Sequence, residues 1–400
     1  MPTVVTPTHT VRAATVATFL VFGLNGLVFA SWAARIPTVT ETLQLSSGQM
    51  GSLLLCIALG SLLAMPSTGW LVSRIGTANT IRGAGLLISA AVAGMAGSLL
   101  AGSVVGTAVA LFAYGMGMGV WDVTQNIEGA DVEHKLGRTV MPQFHAAFSG
   151  GAFIGALIGA GLSGIGAGLP GHLLVISVLV IAATFIASRY FLPHATSNLE
   201  AGFHPQEQVR EKSPSAWRDT RTLLLGGVVL GATLAEGAGN DWIAKAAVDG
   251  LGAEESVGAI IYAVFVAAMT LMRFLGGRVI DRFGRVAVLR ASMVAATLGL
   301  ALFVFAENTF VAGIGAALWG LGAALAFPVG MSAAADDPKQ AAARVSVVST
   351  IGYVAFLAGP PLLGFLGDHT GIHFALLAIC GPVLLALWLA RVARPAGTTR

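Results

Sequence analysis

Only 10% of the 400 residues are charged, 56% are hydrophobic, and the formal net charge is +3. Because an ordinary soluble domain carries about 25% charged residues, this composition excludes a soluble enzyme, a disordered chain and a nucleic-acid-binding protein. It predicts an all-α integral membrane protein.

Twelve apolar runs of roughly 20 residues follow one another along the chain. Backbone groups in lipid must form hydrogen bonds within their own segment, so each run is predicted to be a transmembrane helix. The runs lie near 13–35, 48–71, 82–101, 104–126, 144–167, 171–192, 222–246, 256–277, 288–306, 310–334, 346–367 and 373–391.

The basic residues predict the orientation of these helices. If the N-terminus is cytoplasmic, every Lys and Arg except Arg35 and Lys245 falls on the cytoplasmic side. The positive-inside rule therefore predicts that both termini are cytoplasmic. The composition, rich in Ala, Gly and Arg, favours the inner (plasma) membrane of a bacterium.

One long polar segment, 194–221, separates six runs from six runs. It is predicted to be a solvated cytoplasmic linker. The predicted domains are an N-terminal six-helix half, 1–193, and a C-terminal six-helix half, 222–400.

The two halves repeat each other in sequence. Trp32-Ala-Ala-Arg35 matches Trp242-Ile-Ala-Lys245 at an offset of 210, and Gly69, Arg74 and Gly76 match Gly277, Arg282 and Gly284 at 208. Ala110-Leu-Phe112 matches Ala317-Leu-Trp319 at 207. A parallel repeat of this kind predicts a cavity between the halves at the membrane midplane, and alternating access by rocking.

A charged segment joins the eighth and ninth runs: Gly277-Arg-Val-Ile-Asp281-Arg282-Phe-Gly284-Arg285. It resembles the signature loop of the major facilitator superfamily, Gly-x-Leu-x-Asp-Arg-x-Gly-Arg. Asp281 is predicted to pair with Arg282, Arg285 or Arg273, or to face a helix N-terminus, in a cluster that holds one conformer. The first half carries a degraded copy in which Ser73, before Arg74, replaces the acid.

Within that superfamily the chain resembles the fucose-permease-related, YbjJ-like bacterial transporters. The residues that carry the resemblance are Trp32–Pro37, Trp121–Asn126, Met141–Phe148 and Ala235–Trp242. The sugar permease has an acid followed four residues later by Asn, a pattern that Asp122 and Asn126 match. It also has an acid in its first helix, where this chain offers Asn25.

Polar residues at membrane depth are costly and therefore indicate function. Glu236, near the middle of the seventh run, is predicted to carry a proton, and its alternative role is a protonated carboxyl that bonds a neighbouring helix. Asp122 is a second proton-coupling candidate and, with Asn126, a contact for a hydroxyl-bearing solute. Its alternative roles are a helix cap or a pair with Arg138. The other predicted solute contacts are Asn25, Asn240, Trp319 and Tyr353.

A periplasmic gate is predicted from Trp32, Arg35, Asp241, Trp242 and Lys245. The tryptophans have an alternative role as interfacial anchors, and Asp241 has one as an i,i+4 partner of Lys245. The predicted conformational gate is the signature cluster: Gly277, Asp281, Arg282, Gly284 and Arg285, with Arg273 and Arg74.

These features predict a monomeric secondary transporter, a proton symporter for a small polar solute such as a sugar or a related metabolite. Its partners are that solute, protons and the lipid bilayer, and no nucleic acid. The alternative is a proton-driven efflux pump for amphipathic compounds. No catalytic set, metal site, cofactor site or nucleotide loop is predicted, so an enzyme is not expected.

Overall fold

The computed structural model of the chain describes residues 9–138, 140–193, 216–337 and 340–394. The regular structure within these ranges is helical, as the composition predicts. Eleven helices in this part of the chain are long and apolar enough to cross a membrane. The predicted linker, 194–221, lies for the most part outside the described residues.

The described residues contain fourteen α-helices in chain order. They are α1 (His9–Ala33), α2 (Ile36–Thr42), α3 (Ser47–Leu100), α4 (Val104–Leu136), α5 (Met141–Gly164), α6 (Leu169–Ala187), α7 (Thr220–Leu251), α8 (Glu255–Phe283), α9 (Arg285–Val304), α10 (Thr309–Ala323), α11 (Ala326–Ala334), α12 (Ala341–Thr370), α13 (Ile372–Ala375) and α14 (Cys380–Leu389). Short 3-10 turns occupy Ser188–Tyr190, Ala216–Arg218, Leu376–Ile379 and Ala390–Ala393.

Polar side chains cap three of the long helices at their first turn. Ser103, Asp219 and Asn308 accept hydrogen bonds from the backbone N–H groups of Gly106, Thr222 and Val311 at the starts of α4, α7 and α10. These bonds satisfy donors that a helix start otherwise leaves without partners. The hydrogen bond from the Thr222 hydroxyl and the charge of Arg344 lower the pKa of Asp219, which keeps this cap ionised.

The longest helix, α3, contains 54 residues and is interrupted at Gly76, whose φ is 79° and ψ is 163°. Gly284, between α8 and α9, has nearly the same conformation, with φ 78° and ψ 155°. Only glycine adopts such angles readily, and the two positions are 208 residues apart. A single span needs roughly 20 residues, so α3 has the length of the second and third predicted runs together.

The described residues form two compact units. One takes in the described parts of Met1–Trp32, Cys56–Ile158 and Ile165–Glu211, and the other those of Ala33–Leu55, Gly159–Gly164 and Lys212–Arg400. The second unit thus includes α2 and the last residues of α5, which come from the first half of the chain.

Small residues hold α1 against α5 in the first unit. A Cβ added to Gly26 would lie 1.9 Å from the carbonyl oxygen of Phe148, and one added to Gly151 would lie 1.8 Å from that of Gly23. Such close backbone contact is how helices pack in lipid, where the solvent is as apolar as the side chains. It brings the middle of α1, with Asn25, against α5.

Candidate functional site

A carboxylate and two amides cluster on α4 in the first unit. Asp122 Oδ1 accepts hydrogen bonds from Gln125 Nε2 at 3.1 Å and from Asn126 Nδ2 at 3.4 Å. Asn126 Nδ2 also donates to the backbone oxygen of Asp122 at 2.8 Å. Asp122 and Asn126 share one face, as their spacing predicts, and no ion pair joins Asp122 to Arg138 among the described residues. The sequence analysis did not predict the part played by Gln125.

Two amide oxygens in this unit are buried without a hydrogen-bond partner among the described residues. They are Asn25 Oδ1 on α1 and Gln125 Oε1 on α4. An unpaired buried polar group costs about 1–3 kcal/mol. Both side chains are almost fully buried, so in this conformation a solute does not reach these oxygens.

An ion pair joins α7 to α8 in the second unit. Arg273 Nη2 lies 2.7 Å from both carboxylate oxygens of Glu236, and the two side chains are 27% and 19% exposed. Arg273 Nε also donates at 3.4 Å to the carbonyl oxygen of Ala324, which lies at the break between α10 and α11. The placement of Arg273 differs from the sequence prediction, because its guanidinium pairs with Glu236 and not with the signature cluster. The proton-carrier role of Glu236 stays a prediction.

The signature segment makes its ion pair through Arg285 rather than Asp281. Arg285 Nη1 donates to Asp336 Oδ1 at 2.6 Å and Nη2 donates to Ser332 at 2.9 Å, while Arg221 Nη2 donates to Asp336 Oδ2 at 2.8 Å. Burial opposes ionisation of Asp336, but its hydrogen bonds to Arg285 and Arg221 and their charges outweigh burial and lower its pKa. Asp336 is not among the residues predicted from the sequence.

Three other residues of the predicted conformational gate lie outside this network. Asp281 is exposed and has no ion pair among the described residues. The predicted partner Arg285 instead contacts Asp336, on the turn after α11. The Arg282 guanidinium lies 5.4 Å from the ring centre of Phe283. Arg74 lies 5.6 Å from the ring centre of Trp70.

A counterpart of this network exists in the first unit. Thr77 Oγ1 donates to Glu128 Oε2 at 2.8 Å, and the backbone N–H of Leu192 donates to Glu128 Oε1 at 2.7 Å. Thr77 and Glu128 correspond to Arg285 and Asp336 at the offset of 208. That shared offset is the signal that could have identified Glu128 and Asp336 from the sequence.

The residues of the predicted periplasmic gate occupy separate places. Trp32 and Trp242 are buried, not half-exposed as interfacial anchors would be. Lys245 Nζ pairs with Asp249 at 2.6 Å, one turn beyond the suggested partner Asp241. Asp241 instead lines a small cavity between α7 and α12 with Trp242 and other, apolar, residues.

Arg35 belongs to a polar cluster around Glu255 in the second unit. Its Nε lies 3.0 Å from Glu255 Oε1, and the Thr38 hydroxyl donates to the same oxygen. Ser163 donates to Glu255 Oε2 at 2.6 Å. A second carboxylate, Asp368 on α12, accepts from Ser46 Oγ at 2.9 Å and from the Gly48 N–H at 3.0 Å. Arg35 was predicted to lie at a gate, whereas neither Glu255 nor Asp368 was predicted from the sequence.

The three remaining predicted solute contacts differ in exposure. Trp319 is fully buried, donates from Nε1 to the Ala235 oxygen at 3.1 Å and packs against Phe265. It therefore supports α7 beside Glu236 and offers no surface to a solute, because its ring is enclosed by its own unit. Tyr353 is 38% exposed and Asn240 is half-buried. The described residues contain no group of three His, Cys, Asp or Glu side chains arranged to hold a metal ion.

The profile of the Major Facilitator Superfamily matches residues 2–139 and 229–400. The chain belongs to this superfamily. An uncharacterised MFS-type transporter of Yersinia pestis is 32% identical over 381 residues, which cover 95% of this chain and 94% of the relative. The membrane protein MosC of Rhizobium meliloti is 28% identical over 360 residues, 90% of this chain and 84% of MosC.

Solved structures of transporters share the fold. The nucleoside transporter NupG superposes with a TM-score of 0.74 at 15% identity, over 96% of this chain and 99% of its own. The human organic anion transporter MFSD10 does so with a TM-score of 0.62 at 16% identity, over 95% and 99%. This major facilitator chain is therefore a multi-pass membrane transporter and not an enzyme.

Proposed function

We propose that this chain is a secondary active transporter that moves a small polar solute by alternating access, in symport with protons. The Glu236–Arg273 ion pair carries the proposal. A charged side chain at the membrane centre costs about 3 kcal/mol on insertion scales, and a buried ion pair adds little stability over an apolar pair of similar volume. The presence of both charges at this depth is therefore best explained by a direct role in transport.

The pair offers a physical route to proton coupling. A proton on the Glu236 carboxylate would cancel its charge and release the Arg273 guanidinium, because the pair is held by opposite charges. A guanidinium without its partner would then favour a solute oxygen or a rearrangement of α7 against α8. Because both side chains are partly exposed, a proton or a solute can reach them.

The first unit supplies the proposed solute contacts. Asp122 and Asn126, both half-buried, provide acceptors and an amide donor. The oxygens of Asn25 and Gln125 are further acceptors, which a movement of the surrounding helices would have to expose. Groups of this kind bind hydroxyls better than they bind an apolar surface, so a sugar-like solute or a related metabolite is the proposed substrate. Nucleosides are a second class of hydroxyl-rich solute to test, because the structurally similar NupG is a nucleoside transporter.

The proposal extends to topology and lineage. The chain would cross a bacterial inner membrane twelve times as a monomer with both termini in the cytoplasm, with α3 forming two of the spans. It would join the fucose-permease-related branch, without that permease's acid in its first helix.

The test is a thermal-unfolding screen of the purified protein against sugars, sugar acids, nucleosides and lipophilic cations. A solute present at 100 times its Kd should stabilise the folded protein by about 2.7 kcal/mol. We expect a polar solute to raise the unfolding midpoint of the wild type but not of Asp122→Asn. Glu307→Gln, an exposed acid in the turn before α10, is the matched control and should respond as the wild type does.

The screen can also contradict the proposal. Stabilisation by lipophilic cations alone, unchanged in Asp122→Asn, would reject the polar-solute assignment and favour efflux of amphipathic compounds.

A further inference from the structure

A cleft of about 760 Å³ lies in the first unit, beside the break in α3. Its walls are the residues around Gly76 and the end of α6, Val72–Arg82 and Ser188–Pro193 in part. Arg74, Arg82 and Arg189 line it, and among the described residues no Asp or Glu does. In the second half Asp281 occupies the position that corresponds to Ser73. With serine in place of the acid, the charged side chains among the described lining residues are all cationic.

The three arginines are arranged differently. Arg82 Nε donates to Ser188 Oγ at 2.8 Å and its Nη1 donates to Asn79 Oδ1 at 3.0 Å, so this guanidinium is held in place. Arg74 and Arg189 are exposed. One fixed and two exposed guanidinium groups around one cavity can bind the oxygens of an anion such as a phosphate from several sides.

The backbone adds to this positive potential. The break at Gly76 makes Thr77, Ala78 and Asn79 the first turn of a helix that continues to Leu100, and all three line the cleft. A helix start carries a partial positive charge, which favours an anion. The acid in contact with this turn, Glu128, is fully buried and accepts from Thr77 and from the Leu192 backbone.

The surroundings of the cleft identify the source of the anion. Trp70, under the Arg74 guanidinium, is 60% exposed, and Tyr190, next to Arg189, is 54% exposed. Exposed Trp and Tyr beside basic residues are typical of the level of lipid headgroups, and basic pockets between transmembrane helices bind anionic headgroups. We infer that this cleft binds the phosphate headgroup of an anionic phospholipid. The inference does not depend on which solute is transported.

The test measures lipid binding to the purified full-length protein by native mass spectrometry, with phosphatidylglycerol, phosphatidylcholine and inorganic phosphate as probes. We expect the wild type to retain phosphatidylglycerol in preference to phosphatidylcholine. Arg74→Gln with Arg189→Gln should bind phosphatidylglycerol roughly 30-fold more weakly, at about fivefold for each arginine. The lysine pair, Arg74→Lys with Arg189→Lys, should keep most of the binding and shows that the fold is intact.

A matched control removes two charges elsewhere. Arg278 and Arg290 lie in the corresponding part of the second half and make no ion pair with a described residue. Arg278→Gln with Arg290→Gln should bind phosphatidylglycerol as the wild type does. Equal loss in both glutamine pairs would overturn the assignment, because binding would then follow net charge alone. If millimolar inorganic phosphate displaced the lipid and bound equally well by itself, the assignment would also be overturned in favour of a soluble anion.

Discussion

At Asp336 one carboxylate accepts hydrogen bonds from two arginines that are distant in the sequence, Arg221 before it and Arg285 at the start of α9. Each arginine therefore depends on the same acid for its ion pair. The acid is well buried while the arginines are more exposed. Loss of the carboxylate would leave both cations without that partner, whereas loss of one arginine would leave the other pair intact.

We predict that Asp336→Asn lowers the free energy of unfolding at pH 7 by about 1.5–3 kcal/mol, the range for hydrogen bonds to charged groups. The pKa of Asp336 is lower in the folded protein than its ordinary value of 3.8. The stabilisation is therefore fully present above that value and is lost as the pH falls through the folded pKa. The thermal unfolding of wild type and variant should therefore converge once the pH has fallen through the folded pKa of Asp336.

Asp281→Asn is the control for this experiment. Asp281 is exposed and has no ion pair among the described residues, so its replacement should change stability by less than about 0.5 kcal/mol. If Asp281→Asn lowers the free energy of unfolding more than Asp336→Asn does, the ion pairs of Asp336 do not contribute the predicted stability.

The sequence indicates which polar residues are unusual more readily than it indicates their partners. Glu236 stands out because a carboxylate is rare in an apolar run. Its partner Arg273 is 37 residues away on another helix, and only the packing of α7 on α8 brings the two together. The assignment of Trp319 to a solute surface failed for a related reason, since composition cannot show which face of a helix its own unit encloses.

Between elements, the Glu236–Arg273 pair connects α7 to α8, and Arg273 connects α8 to the break between α10 and α11. A change in the charge of Glu236 would therefore alter contacts among several helices at once. Through such an arrangement, protonation of Glu236 can shift one helix against another.

We predict that Glu236→Gln abolishes accumulation of solute driven by a proton gradient but spares exchange of solute across the membrane. Glutamine keeps the shape of the side chain but can no longer bind and release a proton. Transport into proteoliposomes with and without a pH gradient is the measurement. Glu307→Gln should behave as the wild type, and accumulation that persists in Glu236→Gln would remove the proton-carrier assignment.

At the element scale the sequence indicated where apolar helices lie but not where they are interrupted. Helices α10 and α11 occupy the single predicted run 310–334, and α13, a 3-10 turn and α14 share the run 373–391. Hydropathy measures composition over a window, so it does not register one or two residues that leave helical geometry. The interruption at Gly76 was more accessible, because the repeat relates it to Gly284.

For the whole molecule, the most consequential contacts are those around Glu255 and Asp368. Both acids bind the segment Ala33–Leu55, which follows α1 in the chain but packs within the second unit. Alternating access would require some of these contacts to break. The two carboxylates are therefore expected to bind this segment in one conformer and to release it in another.

We predict that Glu255→Gln increases hydrogen–deuterium exchange in Ile36–Thr42, because the substitution removes the charge that Arg35 and the Thr38 hydroxyl contact. An increase of roughly five- to tenfold would correspond to the loss of about 1–1.4 kcal/mol. Glu254→Gln, at the adjacent exposed acid, is the matched control. Equal exchange in the two variants would show that Glu255 does not hold this segment.

The equal spacing of the networks around Glu128 and Asp336 has a consequence for the kinds of sequence change that the chain tolerates. Thr77 and Glu128 are separated by the same number of residues as Arg285 and Asp336. Substitution at intervening positions leaves this register intact. One residue inserted into the helix before Glu128 would turn the carboxylate by about 100°, away from Thr77. Natural variation between these anchor points should therefore consist of replacements, with length changes confined to the turns.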